Sequence, residues 1–520
     1  MADRAQPVSL GLRLLSGGAG AALLAFVLMP LIAVIAGAEG WPRLGPQDWA
    51  ALRFTLSQAA LSAGISVALG IPVARALARR RFPGRGLLVT LLGAPFLLPV
   101  IVAVNGLLAI FGRGGLVNDL LAAFGQDRVS VYGFGGVVLA HVFFNLPLSV
   151  RLLLQGWAAI PAERFRLAAS LGFAPADVAR HLEWPMLRAL VPGLFATIFL
   201  ICLTSFAVAL TLGGGPRATT VELTIYQAFR FDFDLGRAAA LGLVQLVLCA
   251  ATALLAARLA VPSAFGAGLD RPVERWDSSG RLIRGTDAGL LGAASLFLLA
   301  PLAAVVAGGL PHLFDLPAPV WGAAVRSVQV AAVSTVLALG LALPIALAVS
   351  GRGGARWLEI AGMLPLATSA LVAGTGFFLL LRGLAGPAAL ALPVTIGLNA
   401  MMALPFVLRA VIPSARDLQA DYGRLADSLG MGGLARLRIV TLPRLRRPLG
   451  FAAGLTAALS MGDLGVIALF ADEDHATLPM QLYRLMGAYR TEDAAGAALL
   501  LLLLSLGIFW LFDKGGRGDA

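Results

Sequence analysis

RLAASLGFAPADVARHLEWPML, residues 166–187, and RLADSLGMGGLARLRIVTLPRL, residues 424–445, are two copies of one pattern set 258 residues apart. Arg166, Leu167, Ala168, Ser170, Leu171, Gly172, Arg180, Pro185 and Leu187 match Arg424, Leu425, Ala426, Ser428, Leu429, Gly430, Arg438, Pro443 and Leu445. Each copy reads as a short amphipathic helix, a break at glycine, a second basic amphipathic helix, and a proline that opens an apolar run. Chance similarity between Leu- and Ala-rich segments gives scattered apolar matches, not proline, glycine and arginine matched in order.

The repeat continues outward from these loops. Trp49, Ser62, Leu69 and Pro72 match Trp321, Ser334, Leu341 and Pro344 at an offset of 272. Pro95 and Gly106 match Pro365 and Gly376 at 270, and Pro147 and Arg151 match Pro405 and Arg409 at 258. Between the copies the chain is unusually apolar: 59% of its 520 residues are hydrophobic and 13% charged, with a mean hydropathy of +0.86. A soluble protein cannot cover that much apolar surface, so lipid is the solvent for much of the chain. The same figures exclude a disordered chain, a collagen-like repeat and a secreted disulfide scaffold. Cys202 and Cys249 lie in apolar runs and read as small packed residues.

Crossing the hydrocarbon takes about 20 apolar residues. Twelve runs qualify: 14–36, 55–78, 87–112, 131–154, 190–213, 238–261, 287–309, 325–349, 358–381, 386–412, 449–471 and 494–513. The first is too long for the apolar core of a secretory signal and reads as a retained helix. The expected fold is an all-α polytopic membrane protein of two parallel-related six-helix halves, 1–261 and 287–520. A cytoplasmic linker, 262–286, joins them, and the repeated loops fall at about 161–187 and 417–445.

The formal charge of +12 is carried almost entirely by arginine, Lys514 being the one lysine. No G-x-x-x-x-G-K-[ST] phosphate loop is present, so ATP energy, if used, comes from another chain. With the N-terminus inside, 29 of the 40 basic residues fall in cytoplasmic segments, both termini among them. The charge therefore reads as the inner face of the membrane and not as a nucleic-acid surface.

The spacing of Gly172 to Pro185 and of Gly430 to Pro443 resembles the EAA coupling loop in permeases of binding-protein-dependent ABC importers. Two such loops in one chain resemble the fused permeases of that class. HVFFNLPLSVRLLLQ (141–155), HLEWP (181–185) and SFAVALTLGGGPRATTVELTIYQAF (205–229) look like the thiamine/thiamine-pyrophosphate permease subunits, and the resemblance covers nearly the whole chain. It implies import of thiamine or its phosphate esters from periplasm to cytoplasm across a bacterial inner membrane. It further implies two copies of a separate cytoplasmic ATPase carrying ATP and Mg, and a periplasmic binding protein. No catalysis, cofactor or metal is expected on this chain, one copy of which supplies both halves.

The family pattern puts the ATPase coupling contacts at Ala168, Ala169 and Gly172 and at Ala426, Asp427 and Gly430, with Pro185 and Pro443 starting the next spans. Six residues before each glycine, where the family has its name-giving glutamate, this chain has Arg166 and Arg424. The change is symmetric and implies a matching surface on the ATPase. Fused ferric-iron permeases share this architecture. A secondary transporter would need a relay of buried ionisable groups and would have no use for two docking loops. A membrane enzyme would need a zinc motif, nucleophile elbow or buried carboxylate pair, and none is found in the sequence.

Ionisable side chains inside the spans are scarce and functional by default. Asp463, in LSMGDLGVIALF (459–470), is the clearest, and Ser205 is its counterpart at the offset of 258. A carboxylate there suits a cationic thiazolium, with Phe206 or Phe470 to stack on it for about 1 kcal/mol. Asp463 reads equally well as the cap of a broken helix. His141, Asn145, Asn105 and Asn399 read as interhelical hydrogen-bonding groups. The external stretches 213–227 and 471–490 occupy equivalent positions and suit either a binding protein or a cover over the cavity mouth.

Overall fold

The computed structural model describes residues 10–37, 44–93, 97–213, 215, 218–259, 275–278, 280–351, 355–384, 386–472 and 474–517. Helix accounts for 84% of the described residues, and no strand occurs among them. Helices satisfy every backbone donor and acceptor within their own segment, which is what a chain lying in hydrocarbon requires.

In order, the helices are α1 (Leu10–Gly37), α2 (Pro46–Arg79), α3 (Arg85–Leu91), α4 (Val100–Phe111), α5 (Leu116–Ala123) and α6 (Phe134–Ala158). α7 (Ala162–Ser170) and α8 (Pro175–Val178) form the first loop, and α9 (Trp184–Leu203), α10 (Ala207–Leu212), α11 (Val221–Arg230) and α12 (Leu235–Arg258) follow. The later part has α13 (Arg281–Gly309), α14 (Ala318–Ser350), α15 (Arg356–Met363), α16 (Ala370–Leu381), α17 (Pro387–Ser428) and α18 (Gly433–Arg436). α19 (Leu442–Met461), α20 (Gly465–Phe470), α21 (Leu478–Gly487) and α22 (Thr491–Arg517) complete it.

Eleven helical stretches among the described residues are long and apolar enough to cross a membrane, and a twelfth span is a bent pair. That pair, Trp357–Ala367 and Ala370–Leu381, turns through 95° and replaces the straight span expected over 358–381. Pro365 closes the first arm in a tight turn, and Ser369 starts the second by accepting hydrogen bonds from the N–H groups of Leu371 and Val372. The run expected at 87–112 is likewise divided, between α3 and α4, with Pro99 at the start of α4. Spans 190–213 and 449–471 are each interrupted, at 204–206 and 462–464. Hydropathy counts apolar residues but is blind to their direction, so it merged these arms.

Two further boundaries differ from expectation. Residues 281–286, read as linker, are the first turns of α13; residues 262–274 and 279 lie outside the described residues. In the second loop no break separates the membrane helix from the first loop helix, because α17 runs unbroken for 42 residues. The first loop has Pro161 where α17 has Gln419; proline restricts the residue before it and ends α6 at Ala158.

The first helix of each half crosses to the other half. α1 lies on α14 and α16, and α13 lies on α2 and α4. At these crossings Gly376 faces the Pro30 backbone, and Gly106 faces the Pro301 backbone. A Cβ on Gly376 would stand 2.6 Å from the Pro30 carbonyl carbon, and one on Gly106 would stand 2.9 Å from that of Pro301. Close helix approach through glycine is the usual packing device where lipid tails remove any hydrophobic drive. Gly106→Leu and Gly376→Leu are therefore expected to destabilise the folded chain by about 1–3 kcal/mol through overpacking. Gly340, with open space beside it, should accept alanine without loss. Thermal unfolding of the purified proteins in detergent checks both statements.

The coupling loops and the candidate substrate path

Both loop glycines terminate their helices in the same way. Gly172 has φ +68° and Gly430 φ +65°. In the first loop the N–H of Phe173 donates to the Ala168 carbonyl (3.0 Å) and that of Gly172 to Ala169 (3.1 Å). In the second, Met431 donates to Ala426 (2.9 Å) and Gly430 to Asp427 (3.1 Å). These are paired Schellman caps, in which a left-handed residue closes the helix end, and only glycine occupies that conformation without strain. A π-helical turn follows at 179–183 and again at 437–441, passing directly into α9 and α19, in each of which proline is the second residue.

The structure divides the coupling residues expected from sequence. Arg166, Ala169, Gly172 and Pro185 are exposed, as are Arg424, Gly430 and Pro443. Ala168 and Ala426 are not surface contacts: at 3% and 2% exposure they hold each loop helix to its own body. Asp427 is half-buried and engaged within its loop, where Arg436 donates to it at 2.7 Å and to Gln419 at 2.9 Å. Four side chains that the family pattern did not supply stand out beside the glycines: Leu167 (60% exposed), Leu171 (62%), Leu425 (55%) and Leu429 (66%). Both loop tips therefore leave a matched pair of apolar side chains uncovered. Their signal was present in the repeat itself, since both pairs match at the offset of 258.

The two helix breaks approach each other at Gly465. Asp463 sits in the second break, half-buried, with Oδ1 accepting from the Gly465 N–H at 3.1 Å, while its buried Oδ2 has no hydrogen-bond partner. Ser205 occupies the first break, half-buried, followed by Phe206. Beside Gly465 a Cβ would lie 3.6 Å from Asp463 Oδ1 and 3.8 Å from the Phe206 ring, so a carboxylate of one half and an aromatic ring of the other converge there. Phe206 packs edge-on against Tyr226 at 5.2 Å. Phe470 does not belong with them: it is 1% exposed and packs against Phe378 and Gly374. α20 carries its first residue to the break and its last into the core.

Sequence reasoning missed a carboxylate buried between the helices. Glu222 is 1% exposed on α11. Gln245 Nε2 donates to its Oε1 at 3.0 Å, and Ser369 Oγ donates to its Oε2 at 2.9 Å. The bond to Ser369 reaches from one half to the bent span of the other. A glutamate four residues before Tyr226 on an apolar helix face was the available signal. Among the polar groups expected between helices, Asn399 donates to Ser460 at 2.9 Å, and Asn145 donates to the His141 carbonyl at 2.8 Å and to Cys202 Sγ at 3.4 Å. Asn105 is half-buried on α4.

No protein-family model matches the chain. It is 42% identical to the thiamine transport system permease protein of Salmonella typhimurium over 99% of its own length and 98% of that protein's. The chain belongs to the thiamine transport permease family. It is also 42% identical to the thiamine transport system permease protein of Escherichia coli, again over 99% of its length and 98% of the relative's. A molybdenum transport system permease protein of Mycobacterium bovis is 32% identical over 235 residues, which is 44% of this chain but 88% of that protein. The family is one of ABC transport subunits, and with eleven helical stretches among the described residues long and apolar enough to cross a membrane, this member is a multi-pass membrane protein.

Proposed function

We propose that this chain is the membrane subunit of an importer that carries thiamine or its phosphate esters from the periplasm to the cytoplasm across the inner membrane. A separate ATPase powers it and a periplasmic binding protein delivers the substrate. The observation that carries the substrate is likeness along nearly the whole chain to thiamine transport permeases. Two identically capped loops with exposed leucines support the ATPase partner, one copy beneath each loop. The half-length match to a separate permease and the reciprocal glycine crossings support the organisation in two halves.

ATP binding draws the two ATPases together. The loops pass that motion through the π-helical turns into α9 and α19, whose breaks at 204–206 and 462–464 lie where Phe206 and Asp463 meet. Moving the breaks apart opens a passage in which a carboxylate and an aromatic ring receive a cationic ring. Both termini then lie in the cytoplasm, the side on which the loops must be. Disrupting the gene for this chain should abolish high-affinity uptake of labelled thiamine by whole cells and leave ferric-iron uptake unchanged. The reverse result assigns the permease to iron.

A further inference from the structure

The described part of the linker between the two halves is bound to the first coupling loop, and among the described residues the second loop has no equivalent contact. Glu183, in the π-helical turn after Gly172, is buried, and its Oε1 accepts from Arg275 Nη1 at 2.7 Å and from Trp157 Nε1 at 3.2 Å. Its Oε2 forms an ion pair with Arg75 of α2 at 2.8 Å. Arg275 also grips Asp277 through two bonds, of 2.9 and 2.5 Å, and its guanidinium lies 5.0 Å from the centre of the Phe165 ring on α7. Trp276 Nε1 donates to the Phe173 carbonyl, one residue past the Gly172 cap, at 3.4 Å. Two consecutive linker residues, Arg275 and Trp276, therefore touch the first loop helix, the cap and the π-helical turn, and Asp277 holds Arg275 in place.

The same region anchors the membrane helices beneath. Arg79 and Arg80, at the end of α2, both bind Asp287 in the second turn of α13. The Arg275 and Asp277 side chains are 1% and 0% exposed, so the charges are held almost out of water. Burial opposes charge on Asp277, yet its bonds to Arg275 more than offset this and hold the carboxyl below its ordinary value. The second loop cannot copy the arrangement: at the offset of 258, Phe165, Glu183 and Trp157 become Gly423, Thr441 and Ala415. There Thr441 donates to the Arg436 carbonyl, and Arg436 closes the loop on itself.

We propose that Arg275 is a positioning residue for energy coupling: it holds Glu183 and Phe165 of the first loop to the linker, Glu183 is paired in turn with Arg75 of α2, and α2 is paired through Arg79 and Arg80 with α13, so that force arriving at that loop moves helices of both halves together. The two loops are then mechanically inequivalent, the first braced to the membrane helices by the linker and the second by its unbroken continuation from α17. Buried ion pairs often add little net stability but fix geometry, and here the fixed geometry is that of a transmission. This rests on the ATP-driven reading above.

The test uses the complete complex in proteoliposomes and measures thiamine taken up per ATP hydrolysed. Arg275→Met should leave the ATPase bound and hydrolysing, while uptake per ATP falls about tenfold, within the range of ordinary coupling energies. Arg275→Lys, which keeps charge but cannot span both carboxylates, should recover part of the ratio. Should the methionine variant fail to assemble, Phe165→Leu removes the ring under the guanidinium, leaves every charge in place, and is expected to lower the same ratio. A merely structural role would reduce uptake and hydrolysis in parallel or leave both unchanged, and either result overturns the proposal. A wild-type complex that takes up no thiamine at all would instead refute the functional reading on which it rests.

Discussion

A Gly172→Asp or Gly430→Asp chain is expected to insert and accumulate normally and to take up no thiamine. Both glycines sit at left-handed caps, where an L-residue costs about 1–2 kcal/mol. That is small beside the buried core of the bundle, so the fold survives. A Cβ at either position meets nothing within 4 Å, so neither glycine is there to pack against its own chain. On the docking proposed above, the space beside it, flanked by exposed leucines, receives the ATPase, and a carboxylate placed there is desolvated without a counter-charge of its own. Membrane levels by immunoblot, ATPase co-purification and uptake separate the outcomes. Undiminished uptake would show that the loops are not the docking surface.

The second large effect is expected at the crossing of the two breaks. Asp463→Asn keeps a carbonyl oxygen able to accept the Gly465 N–H, so the cap on α20 persists and thermal stability should change little. What disappears is the negative charge: Oδ2 is buried without a hydrogen-bond partner, and Oδ1 and the Phe206 ring both lie against Gly465. For a cationic substrate the apparent KM should rise about tenfold or more, equivalent to a loss of about 1.4 kcal/mol. Asp463→Ala removes cap and charge together and should also lower stability. An unchanged KM in Asp463→Asn would leave the carboxylate as a helix cap and nothing more.

Much of this architecture is legible in the sequence, for physical reasons that also mark where legibility stops. Apolar runs, arginine placement and the repeat are local or periodic properties, and they identify the spans, the orientation hypothesis and the two loops. Gly106 and Gly376 are visible as a matched pair, yet nothing local shows that each receives the opposite half's proline. The bend at Pro365 and the breaks at Ser205 and Asp463 lie inside runs of uniform hydropathy, so direction was lost there. Phe470 reads from sequence as an alternative to Phe206 for stacking on the substrate, but α20 carries it a turn and a half beyond the break and into the core. Ala168 and Ala426 were right as members of the loops and wrong as surface, because small size serves close packing as well as docking. Glu222 and Arg275 were beyond reach, since their partners lie 147 and 92 residues away in sequence.

The most direct measurement is uptake of labelled thiamine by proteoliposomes that contain this chain with its cognate ATPase and binding protein. Accumulation against a gradient, requiring ATP inside, Mg and the binding protein outside, and abolished by Gly172→Asp in the same preparation, is the expected result. Uptake that proceeds without ATP, or that is driven by a proton or sodium gradient, would contradict it.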